Sequence, residues 1–169
     1  DSNNIAITGS AGKTSVKDLT GFCLNKLDKT YYSKNSFNNK YGVPLSIINS
    51  PQSTKFSVLE VGMDKKGEID TLTKLIRPNL GLITNISYAH IKNFKNLDEI
   101  AKAKGEIINN IFPSGVMIIN KDDKYCNYFI SKAKMRNLNI ISFSKKNKLA
   151  DVVYPVSYTH LTLPTILPV

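Results

Sequence analysis

Ile5-Ala6-Ile7-Thr8-Gly9-Ser10-Ala11-Gly12-Lys13-Thr14-Ser15 runs from a short apolar stretch straight into a glycine-rich turn. A buried strand feeding such a loop, with a helix behind it, is how proteins build a cradle for nucleotide phosphates. Backbone N–H groups of the loop and of the helix N-terminus point at the anion. In that arrangement Lys13 reaches the terminal phosphates and the Thr14 hydroxyl binds Mg²⁺, with Gly9, Ser10, Ala11, Gly12 and Ser15 completing the cofactor-binding loop. The spacing is G-x-x-G-K-[ST], shorter than the full G-x-x-x-x-G-K-[ST], because Ile7 stands where its first glycine belongs. A chance Gly-Lys-Thr in a surface turn is the bland alternative. The strand before it and the helical pattern after it favour phosphate binding.

Outward from this loop, apolar runs and amphipathic stretches alternate. Strands are expected at Ile5 to Thr8, Thr30 to Ser33, Phe56 to Val61, Leu80 to Ile86, Val116 to Asn120 and Asn139 to Phe143. Helices are expected at Lys13 to Leu27, Glu68 to Leu75, Leu97 to Ile111 and Lys124 to Met135. The alternation predicts an α/β fold, a mostly parallel sheet with helices on both faces. Ligands of such sheets bind beyond the carboxyl ends of the strands. That rule selects the Gly9 loop, Glu60 and the segment Asn85 to His90.

The length of 169 residues suits one domain with a real core, and 41% hydrophobic residues excludes a disordered chain. A formal net charge of +10 invites a nucleic-acid reading. Lysine supplies nearly all of it, with Arg77 and Arg136 the only arginines. The lysines are scattered and no aromatic–basic ladder accompanies them, so no specific nucleic-acid binding is expected. No apolar run is long enough to span a bilayer, and a cytoplasmic, monomeric protein is expected. Cys23 and Cys126 have no metal-like spacing and are expected to be plain buried thiols. All 23 lysines and arginines and all 13 acidic residues lie before Val152. The segment from Ser157 to Val169 also loses the lysine and asparagine bias. It is expected to be a non-native tail on a domain of residues 1–156, and His160 is assigned no role.

Glu60 ends the apolar strand Phe56-Ser57-Val58-Leu59-Glu60, well placed to hold Mg²⁺ directly or through water. His90 follows a second such strand and is a candidate for a metal or phosphate role. Lys104 is the least expected residue. The helix from Leu97 starts behind Asn96, with Glu99 in capping-box spacing. Its apolar stripe reads Leu97, Ile100, Ala101, Ile107, Ile108 and Ile111, and Lys104 falls inside it. Asp98, Lys102 and Glu106 share the opposite, polar face. A lysine on the inward face snorkels, pairs with an acid, or is chemically used as a partly neutral nucleophile. The polar loop Asn35 to Pro44 offers Asn38 and Asn39, whose amides either contact substrate or simply make turns.

Together these segments resemble the ATP-dependent Mur ligases of peptidoglycan synthesis. The carrying pieces are ITGSAGKTSVKDLT (7–20), NSFNNKYGVPLSI (35–47), LEVGMDKKGEI (59–69), RPNLGLITNISYAHIKNF (77–94) and AKAKGEI (101–107). The short glycine spacing is the family's own form of the loop. The resemblance implies the central, ATP-binding domain of a three-domain enzyme. Its closest likeness is to the member that joins D-Ala-D-Ala to UDP-MurNAc-tripeptide through an acyl phosphate. It also implies roles: Lys13 cradles the β- and γ-phosphates, Thr14 and Glu60 hold one Mg²⁺, and His90 helps to bind a second. Lys104 matches a lysine these ligases carry as a carbamate near that second metal, which makes Lys13, His90 and Lys104 the catalytic set. Asn38 or Asn39 matches a substrate-side asparagine. A UDP-sugar domain and a closing C-terminal domain are expected to lie outside these residues, so weak nucleotide binding and no ligase turnover are expected of this chain alone. The alternatives are another Mur ligase, a folylpolyglutamate synthase, or a non-catalytic phosphate-loop module.

Overall fold

The computed structural model describes residues 2–33, 35–88 and 93–154. Seven parallel strands form one sheet in the order β2-β3-β1-β4-β5-β6-β7. In chain order they are β1 (Asn3–Thr8), β2 (Thr30–Tyr32), β3 (Phe56–Glu60), β4 (Leu80–Ile83), β5 (Val116–Asn120), β6 (Asn139–Ser144) and β7 (Val152–Val153). The helices are α1 (Lys13–Leu24), α2 (Gly42–Ile48), α3 (Glu68–Ile76), α4 (Leu97–Lys104) and α5 (Cys126–Met135). β1 is central, which is why Ile5, Ala6 and Ile7 form an unbroken apolar run: both faces of the strand are covered.

Helices do lie on both faces, but unevenly. Only the step from β1 to β2 moves leftward across the sheet order; every later step moves rightward. Right-handed crossovers therefore put α1 on one face and α2 to α5 on the other. The packing follows. Ile5, Ile7 and Val58 bury against the α1 side with Val16 and Leu24. Ala6, Leu59, Ile83 and Met117 join Val43, Ile69, Ile100 and Phe129 from the remaining helices in the larger core.

Several boundaries differ from the sequence expectation, each for a local reason. β4 stops at Ile83 instead of Ile86, because Thr84 to Ser87 turn aside to brace the phosphate loop. The helix from Leu97 ends at Lys104, and Gly105–Asn110 continues as a 3₁₀ turn. That change of winding corrects the expected polar face. Asp98 and Lys102 stay exposed, whereas Glu106 swings inward and is buried. The Asn35 to Pro44 loop is shorter than expected, since α2 opens at Gly42. Pro44 is tolerated there because first-turn N–H groups have no intrahelical partner. Asn39 caps that helix, its Oδ1 accepting from the N–H groups of Tyr41 (3.0 Å) and Gly42 (2.9 Å). Cys126 is buried as expected, but Cys23 is exposed, because it lies on the solvent side of α1. The expected tail and His160 lie outside the described residues, as does His90.

Candidate functional site

The phosphate loop leaves β1 at Gly9, whose φ of 149° and close neighbour exclude any side chain. A Cβ there would sit 1.8 Å from Thr84 Oγ1. Gly12 takes φ 77° at the N-cap of α1, a conformation glycine adopts without cost. The loop is clamped from the β4 side. Ser10 N–H donates to Asn85 O (2.9 Å), Ala11 N–H to Asn85 Oδ1 (3.1 Å), and Thr84 Oγ1 to Ala11 O (2.6 Å). Asp123, after β5, holds that brace in turn by accepting from Ile86 N–H at 2.7 Å. The N–H groups of Ser10 and Ala11 are spent on this clamp, which fixes the loop so that the first N–H groups of α1 face an anion without reorganisation.

Thr14 and Glu60 meet across the site. The Thr14 hydroxyl donates to Glu60 Oε2 at 2.7 Å, and Asn38 Nδ2 donates to Glu60 Oε1 at 2.7 Å. Ser36 Oγ lies 3.1 Å from Thr14 Oγ1. Thus of the two candidate asparagines, Asn38 turns its amide toward the site and Asn39 uses its carbonyl oxygen as a helix cap. No group of three or more His, Cys, Asp or Glu side chains gathers among the described residues. The oxygen pair of a hydroxyl and one carboxylate beside a phosphate loop instead fits Mg²⁺, which takes few protein ligands and completes its shell with phosphate and water.

Lys104 arrives from the opposite side. Its side chain is 1% exposed, and its Nζ donates to Gly9 O at 2.9 Å. Burial, and secondarily the positive charge of Lys13, push its pKa down to about 7. Burial thus favours the neutral, nucleophilic amine, the state that reacts with carbon dioxide. Lys13, Lys104, Asn38, Gly62 and Lys65 face a shared cavity of about 870 Å³, roomy enough for a large, polyanionic ligand.

Sequence reasoning missed two buried charges. Glu106 accepts from Gly67 N–H through both oxygens (2.8 and 3.0 Å) and from Asp70 N–H (3.2 Å), so it satisfies the N-terminus of α3. Lys17, fully buried on α1, donates to the carbonyls of Ser33 and Asn35. It lies on the α1 ridge that also carries Thr14, Gly21 and Leu24, the same inward-stripe signal that singled out Lys104.

A braced phosphate loop, a strand-end carboxylate and a buried lysine at the carboxyl edge of a parallel sheet define a phosphate-loop nucleotide-binding domain. The family model of the Mur ligase middle domain matches residues 7–162, and the chain belongs to that family. Among its relatives is the UDP-N-acetylmuramoyl-tripeptide--D-alanyl-D-alanine ligase of Buchnera aphidicola subsp. Baizongia pistaciae. It is 41% identical over 144 residues, which are 85% of this chain and 31% of that protein. The crystal structure of MurF from Acinetobacter baumannii superposes with a TM-score of 0.83 at 34% identity, over 89% of this chain and 32% of that one. MurF ligase from Thermotoga maritima, solved in complex with ADP, gives 0.75 at 26% identity, over 87% and 34%. The chain therefore spans about a third of the length of the relatives it matches.

Proposed function

We propose that this chain is the ATP-handling part of a ligase that joins D-Ala-D-Ala to UDP-MurNAc-tripeptide. The observation that carries the reading is that Lys13, Lys104 and Asn38 line one cavity, with the Thr14–Glu60 pair held behind it by Asn38. The named relatives supply the substrates.

In this reading the substrate carboxylate oxygen attacks the γ-phosphorus of ATP and ADP leaves, giving an acyl phosphate. The amine of the dipeptide then attacks the acyl carbon, phosphate departs with the bonding pair, and the amine loses a proton. Two anions must be brought together in the first step, so positioning and charge neutralisation dominate. The N–H groups at the N-terminus of α1 and the Lys13 ammonium bind and orient the β- and γ-phosphates. Asn38 holds Glu60 in place and turns the loop 35–39 toward the substrate side. Magnesium, held by Thr14 and Glu60, supplies further charge neutralisation on the phosphates when bound. Lys104 takes up carbon dioxide through its neutral amine, losing a proton to become a carbamate. With His90, which lies outside the described residues, it would hold a second cation.

The test uses the full-length enzyme, with phosphate release followed against a panel of acceptors. The expected result is release that requires both UDP-MurNAc-tripeptide and D-Ala-D-Ala, reduced by at least ~10³-fold in Lys13→Ala. Equal turnover with single amino acids and no dipeptide preference would move the chain to another branch of the superfamily.

A further inference from the structure

Lys17 is buried completely and touches none of the groups assigned to nucleotide, metal or substrate. Its surroundings account for all three donors of an ammonium group. Nζ donates to Ser33 O and to Asn35 O (2.9 Å), and pairs with Asp18 Oδ1 at 3.0 Å. The two carbonyls belong to the chain leaving β2, where Asn35 turns the backbone with φ 55°, a left-handed conformation that asparagine tolerates better than other residues with a side chain. The next residues form the wall of the site. Ser36 reaches Thr14, Asn38 N–H donates to Ser36 O (2.8 Å), Asn38 Nδ2 holds Glu60, and Asn38 O accepts from Gly62 N–H (2.7 Å). Lys17 stands three residues beyond Thr14 and four beyond Lys13 on α1. One helical turn therefore connects the phosphate-binding residues to the anchor of this loop.

We propose that Lys17 is a positioning residue: its ammonium ties α1 to the loop that sets Ser36 and Asn38 against the Thr14–Glu60 pair. This rests on the reading of that pair as the magnesium site. A buried lysine is an expensive clasp, because a charge has left water. A neutral apolar side chain in its place would leave the Ser33 carbonyl without this partner in a buried place, and the left-handed turn at Asn35 would lose its tie to α1. The loop would then be free to leave Glu60, whereas the phosphate loop, pinned from the β4 side, would keep its shape. Loss of Lys17 should consequently disturb the metal's share of nucleotide binding and spare the phosphate loop's share.

The experiment measures ADP affinity of the full chain with and without magnesium, and amide hydrogen exchange, in wild type, Lys17→Met and Lys17→Gln. The glutamine retains two N–H donors and covers the case in which the methionine variant does not fold. Expected for Lys17→Met is faster exchange at Asn38 and Gly62 by ~10-fold or more, with the β1–β3 amides unchanged. The magnesium concentration for half-maximal enhancement of ADP binding should rise ~10-fold, metal-free ADP affinity should stay within about twofold, and Lys17→Gln should fall between. Combining Lys17→Met with Asn38→Ala should add little to the magnesium defect of either change alone. Unchanged exchange at Asn38 and Gly62 would overturn the proposal. So would an opened loop with an unaltered magnesium requirement, which would make Lys17 a structural clasp only. Failure of wild type itself to show magnesium-enhanced ADP binding would instead remove the functional reading on which the proposal stands.

Discussion

Lys104 bears a cost that shows in how stability depends on pH. Its pKa falls from an ordinary 10.5 to about 7, chiefly through burial. Between those values the unfolded chain holds the proton and the folded chain releases it. Stability therefore rises with pH across the window from about 7 to 10.5, and below 7 the full cost is present. Lys104→Met should be more stable than wild type at pH 7 by on the order of 2–4 kcal/mol, with the difference shrinking toward pH 10. Urea denaturation at both pH values measures this. A gain in stability together with lost activity would mark the lysine as kept for chemistry. Gly9 makes the opposite case. Its φ of 149° and the Thr84 hydroxyl leave no space for a methyl group. Gly9→Ala should cost roughly 2–4 kcal/mol and weaken ADP binding as Thr84 loses its hold on Ala11, both readable by thermal denaturation with and without ADP.

At the scale of elements, the junction of α4 and the following 3₁₀ turn decides where two charges go. Continued α-winding would keep Glu106 on the solvent face with Asp98 and Lys102. The tighter turn instead delivers its carboxylate to the N–H groups of Gly67 and Asp70. Glu106→Gln keeps an acceptor but loses the charge at a helix N-terminus, and should cost about 1 kcal/mol. Glu106→Ala abandons those donors in a buried place and should cost about 2–3 kcal/mol by urea denaturation. The contrast with Lys104 explains what was legible in the sequence. Lys104 precedes the change of winding, so the α-helical stripe predicts its burial correctly. Glu106 follows it, and a period of 3.6 no longer applies. The first six strands and the phosphate loop were legible because they rest on local patterns, whereas the two-residue β7 and the short α2 were not read as elements. The Asn38–Glu60 and Lys17–Ser33 contacts were not, since they join segments brought together only by the β2-β3-β1 strand order.

Over the whole molecule, the strand order also sorts the charge. Lysines are scattered along the chain, yet Lys13, Lys40, Lys65, Lys66 and Lys104 all line the cavity at the carboxyl edge of the sheet. Even without Lys104, whose burial favours the neutral amine, the other four lysines outnumber Asp64 and Glu68 in the lining, and together they focus a field that scattered surface charge does not. Their places within it differ. Lys13 and Lys104 adjoin the phosphate loop, whereas Lys65 and Lys66 lie on the exposed turn after β3. If ATP occupies the loop end, the turn end meets the second anionic reactant. Reversing both turn charges in the full-length ligase, with Lys65→Glu and Lys66→Glu, should raise KM for UDP-MurNAc-tripeptide by ~10-fold at low salt. The KM for ATP should change less, and the gap between variant and wild type should narrow as ionic strength rises, because exposed charges are screened. Initial rates at low and high salt, with each substrate varied in turn, separate these expectations. A larger rise in KM for ATP would place the nucleotide's phosphates at the turn end and reverse the proposed orientation of the cavity.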